Sequence, residues 1–385
     1  MVQDHEVILI GTGVAPLVAA SRLIAKGIPC MVLNPDADFF LEDSELPLDP
    51  WSSLIPLETV ADLLRPEFPG SIETWSPQKP RSEGFHDENA PHLRARTRLW
   101  VKSPQQTDEW GKVEDLFLKA QDAGLASKVL EGATAVYRFP GYSGKLAQHN
   151  RAVSVSGLYD IDLTRYRNEL LEYVRDRLGV HKVLCGITLS EWIEGGLRYY
   201  HDSQVYTQKA MQSICFFWTP RLSSWLRRVT ASSIASPLGF RLWEEWSLSS
   251  REFIDPSVVG VYQDMMVYSD YEGLPPRDTL PLNRLKVLKP SKVFPWDKAQ
   301  PFPRGLPYAS AETLEDLTEF CEDFLNWDKF SIHDMKPRLL FEWEQTKLRS
   351  NTHVVGTKLH VIPDVEGPLH HVVERVLSSL ERIVQ

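Results

Sequence analysis

Hydrophobic and polar positions alternate with distinct periods along this chain. Residues 7–10 are four apolar residues in a row, which predicts a short strand buried on both faces. In residues 16–26, Leu17, Ala20 and Leu23 fall on one helical face and Gly27 marks the stop. Residues 30–33 predict a second strand, completing a β-α-β unit with short connections. In "DIDLTRYRNELLEYVRDRLG", Leu163, Tyr166, Leu170, Val174 and Leu178 form one stripe, and Gly179 follows. Residues 113–123 predict another helix. A last helix spans 369–384, with Val372, Val373, Val376, Leu380 and Ile383 on one face. "KVLCGITLSEWIEGGLRYYH" alternates and turns at Gly195–Gly196, which predicts a hairpin. "AMQSICFFW" reads as a buried strand ended by Thr219–Pro220, residues 258–268 and 285–288 as strand-like, and "THVVGTKL" as a strand running into a glycine turn. Ser310 is expected to cap a helix over 312–325. Residues 37–110 carry Pro, Trp and charge without a clean period, and short helices such as 57–64 are expected there.

A chain of 385 residues exceeds one ordinary core, so two domains are expected. Hydrophobic residues at 43% and charged residues at 24% mark a globular protein. A net charge of −10 argues against a nucleic-acid partner, which usually meets a basic footprint. No apolar run approaches the ~20 residues of a membrane span. The acidic flank of the first strand, Asp4 and Glu6, excludes a signal peptide. Cys30, Cys185, Cys215 and Cys321 are scattered without a CxxC, which suits a reducing cytoplasm and offers no structural zinc site. His370 and Glu374, four apart with His371 beside them, lack further ligands, so an exposed helix face and no metal are expected. "GYSGK" has the spacing of neither a phosphate loop nor a nucleophile elbow.

The turn after the first strand, "GTGVAP", holds the candidate chemistry. Gly11 permits the tight turn and Gly13 lets the backbone approach a pyrophosphate; Pro16 stands where a third glycine would let helix and strand pack closely. Proline is tolerated in the first helical turn, so the packing is expected to be looser or shifted, with Ala20 supplying close approach. The backbone N–H groups of Gly11, Thr12, Gly13, Val14 and Ala15 are the expected anion cradle. Asn34, 23 positions after Gly11, stands where a ribose-binding acid is expected. It can accept and donate one hydrogen bond each without charge assistance, and Asp36 is its substitute through a loop shift.

Three segments in this order resemble flavoproteins of the glutathione-reductase-like, D-amino-acid-oxidase/glycine-oxidase type: the β-α-β unit, "SGLYDIDLTRYRNELLEYVRDRLGVHKVLCGITLSEW", and "NTHVVGTKLHVIPDVEGPLHHVVERVLSSLERI". The resemblance implies an α/β protein with a FAD-binding Rossmann-like domain (1–60, 150–230 and 345–385). A second, mixed β-sheet substrate domain (61–149 and 231–344) completes it. It implies FAD as cofactor, with a strand of the middle segment crossing near its adenine end. Gly356–Thr357 form a glycine turn near the cofactor, while Gly367, Pro368 and Leu369 start a helix aimed at the flavin. It implies an oxidoreductase moving hydride from a small amine, amino acid or related donor to flavin, with Arg338 holding a substrate carboxylate. Tyr262, Tyr268 and Arg284 are further substrate-domain candidates. The pattern departs from the family at Pro16, Asn34 and Thr357. "FFLEDSELPLDPW" replaces a Gly/Ser-rich stretch, and "FFWTPR" replaces Ala-x-Gly at the end of the middle strand. These losses weaken FAD contact and define one alternative, a degenerate flavoprotein-fold interaction or maturation partner. The other alternative is a flavin monooxygenase.

Overall fold

The computed structural model describes residues 6–37, 39, 45–46, 93–102, 107–142, 151–161, 163–193, 196–216, 222, 225–226, 239–251, 254, 258–262, 265–269, 283–295, 311–325, 327, 329–342, 353–355, 359–362 and 367–384. The chain opens with β1 (Glu6–Ile10), α1 (Val14–Ala25), β2 (Cys30–Leu33) and β3 (Glu45–Leu46). There follow β4 (Leu93–Val101), α2 (Thr107–Asp122), β5 (Ser127–Glu131), α3 (Gly132–Arg138), β6 (Arg151–Ile161) and α4 (Leu163–Leu178). Next come β7 (Val183–Leu184), β8 (Thr188–Ile193), β9 (Gly196–His201) and β10 (Gln204–Phe216). β11 (Gly239–Ser250), β12 (Val258–Tyr262), β13 (Met265–Ser269), β14 (Asn283–Pro295), α5 (Ala311–Asp323) and β15 (Phe330–Glu342) follow. The last elements are β16 (His353–Val355), β17 (Leu359–Ile362), β18 (Gly367–Pro368) and α6 (Leu369–Ile383).

Two eight-stranded sheets organise the chain. The first runs β16-β17-β10-β1-β2-β7, with the β8–β9 hairpin joined through β9 to the first half of β10. β7, β2, β1, β10 and β17 are mutually parallel, as a sheet covered on both faces requires. One face packs on α1, α4 and α6, through Tyr166, Leu170 and Val174 of α4 and the predicted stripe of α6. The other face meets Leu197 and Tyr199 of the hairpin together with Leu222, Trp225 and Leu226.

The second sheet runs β15-β11-β14-β13-β12-β4-β6-β5, antiparallel except where β12 lies parallel to β4. On one face α5 brings Leu317, Phe320 and Cys321, followed by Phe324, against Tyr262 and Trp246. On the other, α2 brings Val113 and Ala120 against Trp100 and Val153. The fold is therefore α/β, with a parallel Rossmann-like sheet and a mixed second sheet.

Several expectations are adjusted. The helix expected from residue 113 starts at Thr107. The strand-like stretch 258–268 is two antiparallel strands, β12 and β13, because the chain reverses between Tyr262 and Met265. The pattern at 285–288 belongs to the longer β14. Gly196 is not a turn residue but the first residue of β9, opposite Ile193. β6 begins within the 150–230 segment expected in the first domain, yet it pairs with β4 and β5 in the second sheet. The helix expected at 57–64 and the cap Ser310 lie outside the described residues.

Candidate functional site

β1 ends at Ile10 and α1 starts at Val14, so the glycine turn stands at the carboxyl edge of the parallel sheet, where α/β folds bind ligands. Gly13 has φ 71° and ψ −155°, a conformation essentially restricted to glycine. Its N–H donates to the carbonyl of Phe39 at 2.8 Å, and the Gly11 N–H donates to Leu33 O at 3.1 Å. Gly11 serves packing: a side chain there would begin 3.0 Å from Phe216 Cβ and 3.2 Å from its carbonyl oxygen. Phe39 and Phe216 are fully buried in the same apolar cluster as α1. Thr12, Val14, Ala15 and Pro16 are buried with them. The looser packing expected from Pro16 is not found. Pro16 sits in the first turn of α1, where its missing N–H costs nothing, and Leu17 to Ala20 have no exposed surface.

Asn34 follows β2 with no exposed surface, and Asp36 is 3% exposed. The Asn34 side-chain oxygen accepts the Asp36 N–H at 3.0 Å, closing a local turn, and its Nδ2 donates to Cys185 Sγ at 3.8 Å. The segment after β7 lies directly on this turn. Gly186 N–H donates to Asp36 O at 2.6 Å, Ile187 N–H to Asn34 O at 3.2 Å, and Asn34 N–H to Leu184 O at 2.8 Å.

The last cofactor-type residues divide. Gly356 and Thr357 lie outside the described residues. β17, the strand after them, starts beside Ser213 and ends with Ile362 beside Phe216, at the glycine-turn end of the sheet. Pro368 is not the first helical residue: α6 starts at Leu369, which is fully buried, and Gly367–Pro368 pair in parallel with Glu45–Leu46. His370 is buried rather than on an exposed face, and no group of metal-ligating side chains is found among the described residues.

Arg338 belongs to β15, the edge strand of the second sheet, with its Cα opposite Trp243. Tyr262 is a core residue, stacked on Phe324 at 5.2 Å between ring centres. Arg284 stands in β14 opposite Ser249. Tyr268 has a polar role: its hydroxyl donates to Glu245 Oε2 at 3.1 Å, and Lys286 Nζ lies 3.5 Å from Glu245 Oε1. Tyr268 and Lys286 face each other across the β13–β14 ladder, and Glu245 reaches them from β11 on the other side of β14. Glu245 is 2% exposed. Sequence reasoning missed Glu245 and Lys286, because "EE" in β11 and one of three lysines in β14 look like solvated charges. On the opposite face Trp246 Nε1 donates to Glu244, whose carboxyl is pushed up by burial against the opposing pull of that bond and of Lys289.

No protein-family model matches the chain, and no curated protein is similar to it. Solved structures are similar over nearly its whole length. Glycine oxidase from Bacillus cereus shares 10% identity at a TM-score of 0.67, covering 99% of this chain and 94% of that one. The chain has the fold of glycine oxidase. L-α-Glycerophosphate oxidase from Mycoplasma pneumoniae, solved with FAD bound, shares 11% at 0.67, covering 98% and 94%. L-Proline dehydrogenase from P. horikoshii shares 10% at 0.66, covering 97% and 91%. This oxidase fold belongs to FAD-dependent oxidoreductases acting on amino acids and related donors, and at such identity the likeness is one of fold. Among the described residues no helix is long and apolar enough to cross a membrane.

The residues of this chain do not fit the nucleotide half of FAD as they stand. A diphosphate needs backbone N–H groups turned toward it, but those of Gly11 and Gly13 are bonded to Leu33 and Phe39. A ribose needs a polar side chain reaching open space, but Asn34 is enclosed and bonded on both side-chain atoms.

Proposed function

We propose that this chain is an interaction or maturation partner built on the oxidase fold, without turnover through FAD. The observation that supports it is the direct bonding of the Asn34–Asp36 turn to the end of β7 and the segment after it, which closes the turn where the sequence resemblance puts the adenosine end of the cofactor. The two sheets correspond, in this reading, to the two domains, and the four free cysteines suit a reducing compartment such as the cytoplasm. The test is the visible absorption of the purified protein, before and after incubation with FAD and desalting. The expected protein is colourless and takes up no flavin. Flavin bands near saturation would overturn the reading.

A second reading is a FAD-dependent oxidoreductase acting on a small amine, amino acid or related donor, with Arg338 anchoring the donor's carboxylate. It is favoured by the strand–glycine turn–helix order, kept with Gly13 in its glycine-only conformation, and by the full-length likeness to glycine oxidase. Flavin bands in the purified protein would support it.

A further inference from the structure

We infer that Asn34, Asp36 and Phe39, together with Phe216, are a built-in stand-in for the nucleotide, so that the chain's own atoms hold the β1–α1–β2 unit in place of a bound diphosphate. This rests on the non-turnover reading above.

Three separate features converge. At the phosphate position, the Phe39 carbonyl accepts the Gly13 N–H at 2.8 Å. α1 has no side-chain cap bond and no acidic residue in its first turn to answer the partial positive charge of that end. A neutral carbonyl does part of what a phosphate oxygen would do, without bringing an anion into a buried place. At the end of β10, Phe216 is fully buried, and its Cβ and carbonyl oxygen lie 3.0 and 3.2 Å from where a side chain on Gly11 would begin. At the ribose position, Asn34 serves its own chain: Oδ1 holds Asp36 N–H, and the backbones of Asn34 and Asp36 receive Ile187 and Gly186. Phe39 and Phe216 both belong to the cluster that packs α1 on its sheet. Two rings therefore supply apolar contact where a dinucleotide protein keeps small residues and a ligand. The departures noted in the sequence, "FFLEDSELPLDPW" and "FFWTPR", are the two places from which these rings come. The consequence is a nucleotide unit that is complete without a nucleotide.

The test uses the full chain. Thermal unfolding is followed with and without millimolar ADP, and separately FAD, for the wild type, Phe39→Ala, Asn34→Ala and the milder Phe39→Leu. Amide hydrogen exchange of Gly13 is measured on the wild type. Neither nucleotide is expected to move the wild-type midpoint. Phe39→Ala is expected to lower it by several degrees, Phe39→Leu by less, and Asn34→Ala by an intermediate amount. Gly13 is expected to exchange as slowly as the strand amides of β1. A wild-type midpoint raised by ADP or FAD would sink both the stand-in and the non-turnover reading. No nucleotide effect combined with wild-type midpoints in the Phe39 variants, or with fast exchange at Gly13, would sink the stand-in alone. Should Phe39→Ala fail to fold, Phe39→Leu and the exchange measurement decide.

Discussion

Two buried polar places in this molecule are satisfied in opposite ways. The Asn34 turn is held by neutral bonds: its side-chain oxygen takes the Asp36 N–H two residues on, its amide nitrogen reaches Cys185, and backbone bonds link it to residues 184–187. The Glu245 cluster is charged and assembled at long range, with a carboxylate, an ammonium and a phenol from three adjacent strands. A turn held by neutral bonds loses little if one of them goes, because amides can find partial substitutes. A buried ion pair is different, because removing one member strands the other's charge. The first place therefore shapes the turn where a nucleotide would sit, while the second fixes the alignment of β11, β14 and β13.

The largest effect that would sharpen this contrast is expected at Lys286. Lys286→Met removes the ammonium beside the buried Glu245 carboxylate, and about 3 kcal/mol of stability should be lost. The double variant Lys286→Met, Glu245→Gln should recover a good part of it. Urea unfolding of the single and double variants checks this, and equal losses in both would show that the pair contributes nothing as a pair. Next in size is Gly13→Ala. The φ and ψ of Gly13 are closed to a side chain, so about 1–3 kcal/mol should be lost whether or not any nucleotide is bound. A loss that ADP abolishes would contradict the neutral, self-contained picture of the turn. The smallest effect concerns pH. Burial holds the His360 imidazole below its ordinary range, and its Nδ1 has no hydrogen-bond partner. The unfolded chain therefore binds a proton more readily than the fold, so stability is full above the ordinary histidine range and falls as pH drops through it. His360→Gln should flatten that stretch of the stability–pH curve, and an unchanged slope would assign the acid sensitivity elsewhere.

Legibility in the sequence followed the range of the interactions. β1, α1 and β2 were readable because each is defined by residues within one or two turns of itself. The stripes of α4 and α6 were readable for the same reason, and Tyr166, Leu170, Val174, Val372, Val376 and Leu380 are all buried as their spacing implies. The glycine turn was readable as a turn, and Pro16, Asn34 and the two Phe-rich stretches as departures. What could not be read is that Phe39 and Phe216 meet at that turn, since one follows β2 and the other ends β10. Glu245 and Lys286 were hidden by the same physics. In an isolated β-strand pattern a charged residue signals the solvent face, and only the neighbouring strands make it a buried pair. The edge position of Arg338 likewise depends on a ladder with β11 that local pattern does not reveal.

The placement of β10 has a consequence for how the chain comes to be folded. Its early residues zip antiparallel to β9, a neighbour in sequence, whereas its last residues lie parallel between β1 and β17. β10 is made some two hundred residues after β1, and β17 well over a hundred residues after β10. The hairpin half can form as soon as it leaves the ribosome. The parallel half must wait, leaving Ile8, Leu9 and Ile10 paired only with β2 until β10 emerges. Such late closure is slow and leaves apolar strand exposed in the meantime. Emergence of β10 is thus the event that lets β1 settle, and a chain stopped short of β10 should be captured by chaperones rather than accumulate as a smaller folded protein.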